Sequence, residues 1–187
     1  MSNLLLQHDL SGDGPIHDVT PASAGWSHVG FGLHDLAAGT SVWSDGTADE
    51  ICLVLLSGSV RIIAGDLDTG MLQGRASVFD KVAPHAVYVP MKTAWRVEAG
   101  SDSELAVCRA PGTEGKLPPR LIGSQNMPLE TRGTGSNVRH VCNILPETEP
   151  ADSLLVVEVI TPAGNWSSYP PHKHDTDNLP EESYLEE

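Results

Sequence analysis

The chain has 187 residues, of which 40 % are apolar, 19 % charged and 5 % aromatic; this suits one folded domain, or one domain and part of a second, with a core of Val, Leu, Ile and Ala. A formal net charge of −14 argues against nucleic acid as a partner, because that binding needs cationic surface to displace counterions. The charge is uneven: Leu145 to Glu187 holds ten acids and one base, Lys173, whereas the first 144 residues hold fifteen acids and ten bases. This acidic end reads either as a solvated surface or as carboxylates that ligate a cation.

In chain order, the opening M-S-N-L-L-L-Q-H-D-L has no basic leader and does not read as a signal peptide. Short β runs follow at His28–Leu33, Ile51–Leu56, Ser59–Ala64, Ala86–Val89, Glu104–Arg109, Asn137–Ile144 and Leu154–Ile160. Gly and Pro total 32 residues and punctuate these runs, and helical periodicity is hard to find. The pattern predicts an all-β sandwich or barrel. Ser57-Gly58-Ser59 between two strong β runs predicts a hairpin with a positive φ at the glycine. The longest apolar run, Ile51–Leu56, is too short to cross a membrane, and the expected location is the cytoplasm. Cys52, Cys108 and Cys142 are widely spaced within apolar runs and read as reduced core residues.

Pro111–Pro119, with three prolines and two glycines, and the polar stretch Pro128–Ser136 mark the best boundary in the chain. Residues 1–110 are expected to form a first β unit, 111–136 a linker, and 137–187 the start of a second unit. A repeat at the level of fold is expected, although the sequence carries no convincing repeat.

The chemistry is concentrated near the end, in Pro-Pro-His172-Lys173-His174. Residues i and i+2 of an extended strand share a face, so His172 and His174 can reach one ion while Lys173 points away. Imidazole and carboxylate suit a first-row divalent cation, and the adjacent Glu186 and Glu187 can supply a carboxylate from only one of the two. His8, His17, His28, His34, His85 and His140 read as surface or locally bonded residues. Asp49 and Glu50 read as turn residues before a strand. A degenerate site built from Glu50 and His85 is disfavoured because no second histidine stands at i+2.

The chain resembles the 5-deoxy-glucuronate isomerases of bacterial myo-inositol catabolism, relatives of 4-deoxy-L-threo-5-hexosulose-uronate ketol-isomerase. The resemblance rests on T-P-A-S-A-G-W (Thr20–Trp26), C-L-V-L-L-S-G (Cys52–Gly58), A-V-Y-V-P (Ala86–Pro90), L-L-V-V-E-V (Leu154–Val159) and G-N-W-S-S-Y-P-P-H-K-H-D-T-D (Gly164–Asp177). It implies a bicupin, two cupin-type barrels in one chain, with the second incomplete here. It also implies a divalent transition metal (zinc, manganese or iron) on His172, His174 and Glu187, with Glu186 as the alternative. The implied reaction is the aldose–ketose isomerisation of 5-deoxy-D-glucuronate to 2-deoxy-5-keto-D-gluconate, in which a metal stabilises an enediolate. Arg139 and Lys173 are candidates for the substrate carboxylate, and no local sequence names the general base. The expected partner is a small sugar acid, not nucleic acid or membrane, and a homo-oligomer is allowed. A cupin dioxygenase and a non-catalytic sugar-binding fragment are the competing readings.

Overall fold

The computed structural model describes Leu6 and residues 14–168 and 172–186. The strands are β1 (His17–Val19), β2 (Gly30–Leu36), β3 (Ser41–Ser44), β4 (Asp49–Ser57), β5 (Ser59–Ala64), β6 (Leu67–Gln73), β7 (His85–Val89), β8 (Trp95–Ala99), β9 (Ser103–Pro111), β10 (Arg120–Ile122), β11 (Leu129–Arg132), β12 (Arg139–Leu145) and β13 (Val156–Ile160). The α-helix among the described residues is the single turn α1, Pro21–Ala24. It forms because Thr20 and Ser23 make a reciprocal capping box, Pro21 opens the turn, and Gly25 closes it in the left-handed region.

The strands form antiparallel sheets. Six strands lie in the order β1-β2-β9-β4-β7-β10, four in the order β3-β8-β5-β6, and three in the order β11-β12-β13. The first two sheets enclose one core, to which Ile51, Leu53 and Leu55 contribute from β4, Val60 and Ile62 from β5, and Val97 from β8. This is the cupin-type barrel. A second core lies on the opposite face of the six-stranded sheet. There Cys52, Val54, Tyr88 and Ala106 meet Cys142 and Ile144 of β12 and Val156 of β13.

Strand β4 therefore alternates between two cores, which explains its unbroken apolar run. The same burial corrects the expected hairpin. Both edges of β4 are occupied, by β7 and β9, so none remains for β5, which pairs with β6 and β8 instead. Gly58 does take a positive φ, 85°, but the turn carries the chain from one sheet to the other. A Cβ at Gly58 would lie 2.3 Å from the Asp102 carbonyl oxygen.

The stretch 111–136 carries β10, which extends the six-stranded sheet, and β11, which pairs with β12. Among the described residues, strand β13 is an edge. Leu154 and Val156 are buried, whereas Leu155, Val157 and Val159 expose an apolar row. The three cysteines are free. Burial pushes the thiols of Cys108 and Cys142 up to about 11 and that of Cys52 well above its ordinary value, so they are inert packing groups. No helix among the described residues is long and apolar enough to cross a membrane.

Candidate metal centre

The segment around His172 and His174 folds back on itself. Asn178 and Glu182 exchange backbone hydrogen bonds, and Leu185 N–H donates to the His174 carbonyl at 3.2 Å. The loop Asp175–Pro180 is thus a hairpin-like connection. The Glu182 carboxylate closes it by accepting from the N–H groups of Asp175 and Thr176 and pairing with Lys173 Nζ at 3.1 Å.

The imidazole rings of His172 and His174 lie edge to face with centroids 5.1 Å apart. His174 Nδ1 sits 3.0 Å from the Ser183 carbonyl oxygen. Ser183 Oγ is 2.9 Å from the same nitrogen; in the tautomer that donates from Nδ1 to the carbonyl, which only accepts, Nε2 carries the lone pair. His172 Nδ1 is 2.9 Å from Ser168 Oγ. Partners at Nδ1 that fix the ring and leave Nε2 as donor are the arrangement of metal-ligating histidines. In that respect the two imidazoles fit a divalent cation. Among the described residues they have no third His, Cys, Asp or Glu grouped with them in a metal-holding cluster.

The other predicted site residues are placed as follows. Glu187 lies outside the described residues, as do Pro170 and Pro171 of the motif, and His8. Glu186 accepts the backbone N–H groups of Ser27, His28 and Val29 at 2.5–2.7 Å. Desolvation pushes its carboxyl upward, but the bonds from Ser27, Val29 and His28 outweigh it and leave it below the usual carboxylate range. Lys173 belongs to the hairpin but is committed to Glu182 and, at 3.7 Å, Asp175. Arg139 opens β12 and donates from Nη1 to the Asn137 carbonyl at 3.2 Å. The adjoining 136–138 turn accepts bonds from Trp166 N–H and the Asn165 side-chain amide, just before Ser168.

Glu50 and His85 do not share a site. His85 pairs with Leu55 in the sheet register, so it lies on the barrel-core face with Leu53 and Ile51, while Glu50 alternates to the other face with Cys52 and Val54. Nor is Glu50 a turn residue. It is fully buried within β4, accepting from Tyr88 Oη, Ser153 Oγ and the N–H groups of Asp152, Ser153 and Leu154. His85 accepts from Ser124 N–H, and His140 bonds Thr131; both are locally bonded, as expected. A cavity of about 340 Å³, lined by Lys81, Thr131, His140, Cys142 and Glu158 among others, opens between the loop at 80–82 and the three-stranded sheet, and its lining includes neither His172 nor His174.

Ser168 and Ser183 were not visible as site residues in the sequence, and Glu50 was visible only as a turn residue. A lone acid at the head of an unbroken apolar run was the available signal for Glu50. The two serines carried none, because their roles depend on how the hairpin folds.

Hydrogen bonding from Thr176, together with that from Asp175 and Lys173, holds the Glu182 carboxyl down to about 2. Its folded value lies below the ordinary 4.5, so the support it gives the hairpin is present above that value and lost as pH falls from about 4.5 towards 2. NMR shifts of the Asp175 and Thr176 amides should therefore titrate within that window. In Glu182→Gln they should not.

A barrel of two antiparallel sheets, backed by a three-stranded sheet and followed in the chain by a histidine-bearing hairpin, is the architecture of the described residues. The KduI/IolB family model matches residues 4–187, and the chain belongs to that family. It is 51 % identical over 188 residues to the 5-deoxy-glucuronate isomerase of Geobacillus kaustophilus, covering 100 % of this chain and 68 % of that protein. It is 44 % identical over 173 residues to the 5-deoxy-glucuronate isomerase of Bacillus subtilis strain 168, covering 92 % and 64 %. The crystal structure of an IolB-like protein from Salmonella typhimurium LT2 is similar to it with a TM-score of 0.89 and 46 % identity, over 94 % of this chain and 66 % of that one. The chain spans about two thirds of the length of these relatives.

Proposed function

We propose that this protein acts as a 5-deoxy-glucuronate isomerase, interconverting 5-deoxy-D-glucuronate and 2-deoxy-5-keto-D-gluconate. The observation that carries the reading is identity of 40–51 % to proteins of that name along 92–100 % of the chain. The histidine hairpin supports it independently. In this reading residues 1–110 make up most of the first barrel, 111–136 pass from its sheet through β10 to the next through β11, and 137–187 belong to a second unit that carries the site.

His172 and His174 would hold a divalent transition metal. Glu187 would be the carboxylate ligand, as the family resemblance implies, while Glu186 already accepts from three N–H donors. Bound there, the ion would supply a Lewis acid for the substrate's adjacent carbonyl and hydroxyl oxygens. Ser183 and Ser168 orient the imidazoles through their Nδ1 atoms. Arg139 meets the substrate carboxylate, where a guanidinium can bind both oxygens; Lys173 adds positive charge but stays tied to Glu182. The cytoplasm is the expected compartment for this sugar-acid chemistry.

The test is an anaerobic assay of 5-deoxy-D-glucuronate turnover, with and without a chelator. Turnover without oxygen that a chelator abolishes and added divalent ion restores is the expected result. Turnover that requires oxygen would instead make the protein a cupin dioxygenase.

A further inference from the structure

The early and late parts of the chain repeat each other at a fixed offset of 125 positions. Strands β1 and β2 align His17 with Leu33 and Asp18 with Gly32. Strands β12 and β13 align Cys142 with Glu158 and Asn143 with Val157, each residue 125 positions beyond its counterpart. The turns that follow agree as well. Thr40 N–H donates to Ala37 at 3.0 Å and Asn165 N–H to Pro162 at 3.0 Å, and Gly39 and Gly164 both have φ 81°.

The same offset relates two carboxylate contacts. Glu50 grips the N–H groups of residues 152–154, and Glu186 grips those of residues 27–29. The gripped segments are counterparts, 125 positions apart. Each half thus presents the backbone ahead of its own β2-type strand to a glutamate from the other half.

The halves differ in what precedes that glutamate. Thr40 to Glu50 is 10 positions and Asn165 to Glu186 is 21, so the second half has 11 more. His172 and His174 fall in this longer stretch. It has little core of its own, since Leu179, Tyr184 and Leu185 are all exposed. Its shape therefore depends on the His174–Leu185 backbone bond, the Glu182 carboxylate, and the anchor at Glu186.

We propose that Glu186 is a positioning residue, through which Ser27–Val29 of the first half hold the far end of the hairpin that carries His172 and His174. The first barrel, with no metal-holding cluster among its described residues, thereby serves a site in the second half. The proposal rests on the metal reading of the hairpin. Three charge-assisted bonds fix the hairpin's end, and fixing the end limits the geometries in which two imidazoles and a carboxylate can converge. Losing such an outer support typically weakens metal binding about 10–100-fold.

The test compares wild type with Glu186→Ala, Glu186→Gln and Asp152→Asn, using Co²⁺ as the probe. Co²⁺ affinity and its visible absorption band are read beside amide exchange at Ser27, His28 and Val29. Asp152 is a control, because its carboxylate collects three other N–H groups, of residues 113–115, away from the hairpin. Glu186→Ala should expose the three amides and weaken Co²⁺ binding at least about tenfold. Glu186→Gln, which keeps one accepting oxygen, should recover part of the affinity, and Asp152→Asn should leave it unchanged. Co²⁺ affinity within twofold of wild type in Glu186→Ala, with the amides exposed, overturns the positioning role and leaves the metal reading standing. A wild type that takes up no Co²⁺ overturns the metal reading, and this proposal with it.

Discussion

Glu50→Ala is expected to lower the unfolding free energy by about 3–5 kcal/mol, because several buried donors lose their acceptor at once and each unsatisfied one costs about 1–3 kcal/mol. The side chain is completely buried. Its two oxygens receive the Tyr88 hydroxyl at 2.8 Å, the Asp152 N–H at 2.8 Å, the Ser153 and Leu154 N–H groups, and the Ser153 hydroxyl. Truncation leaves these donors facing a cavity, and a buried donor without an acceptor loses its hydration with nothing in exchange. Whole-domain stability is about 5–15 kcal/mol, so one substitution removes a large share. Tyr88→Phe deletes a single donor and should lose only about 1 kcal/mol. Glu50→Gln should fall between the two, since its amide group must face donors. Chemical denaturation midpoints measure all three, and a Glu50→Ala protein within about 1 kcal/mol of wild type would remove Glu50 from the interactions that hold the fold.

The size of that effect bears on what the sequence disclosed. Seven strands were legible from apolar runs, because β4, β5, β7 and β9 pack both or one of their faces into dense aliphatic cores. The other six were not: β1, β3, β6, β10 and β11 are short, polar or largely exposed and take their conformation from a neighbour across the ladder, and β8 alternates over only five residues. Pairing was less legible still: a tight Gly turn between two strong strands reads the same whether the strands join one sheet or two. The histidine pair announced itself by spacing. Its orienting partners did not, because Ser183 and Ser168 become neighbours of the imidazoles only once the hairpin closes. The repeat was invisible in composition, since what recurs at an offset of 125 is hydrogen-bond register and a glycine turn, with few shared side chains.

The bridge between Arg75 and Glu158 should show an asymmetry that burial dictates. Arg75 Nη1 and Nη2 donate to the two oxygens of Glu158 at 2.7 Å each, while Nε reaches the Leu56 carbonyl at 3.1 Å and Nη1 the Val82 carbonyl at 3.3 Å. The guanidinium side chain is 2 % exposed and the carboxylate side chain 20 %. Glu158→Ala strands a guanidinium that water cannot reach and should lose about 3–5 kcal/mol. Arg75→Met fills much of the same volume with an apolar chain, and the remaining carboxylate can hydrate, so the expected loss is smaller, about 1–3 kcal/mol. Combining Arg75→Met with Glu158→Leu removes both charges and should be milder than Glu158→Ala alone, because no charge is then left buried. Denaturant unfolding of the three variants gives the comparison directly. A double variant as damaged as the sum of the single losses would show that the pair acts through independent packing, and that the first barrel and the three-stranded sheet are not held together by this charge.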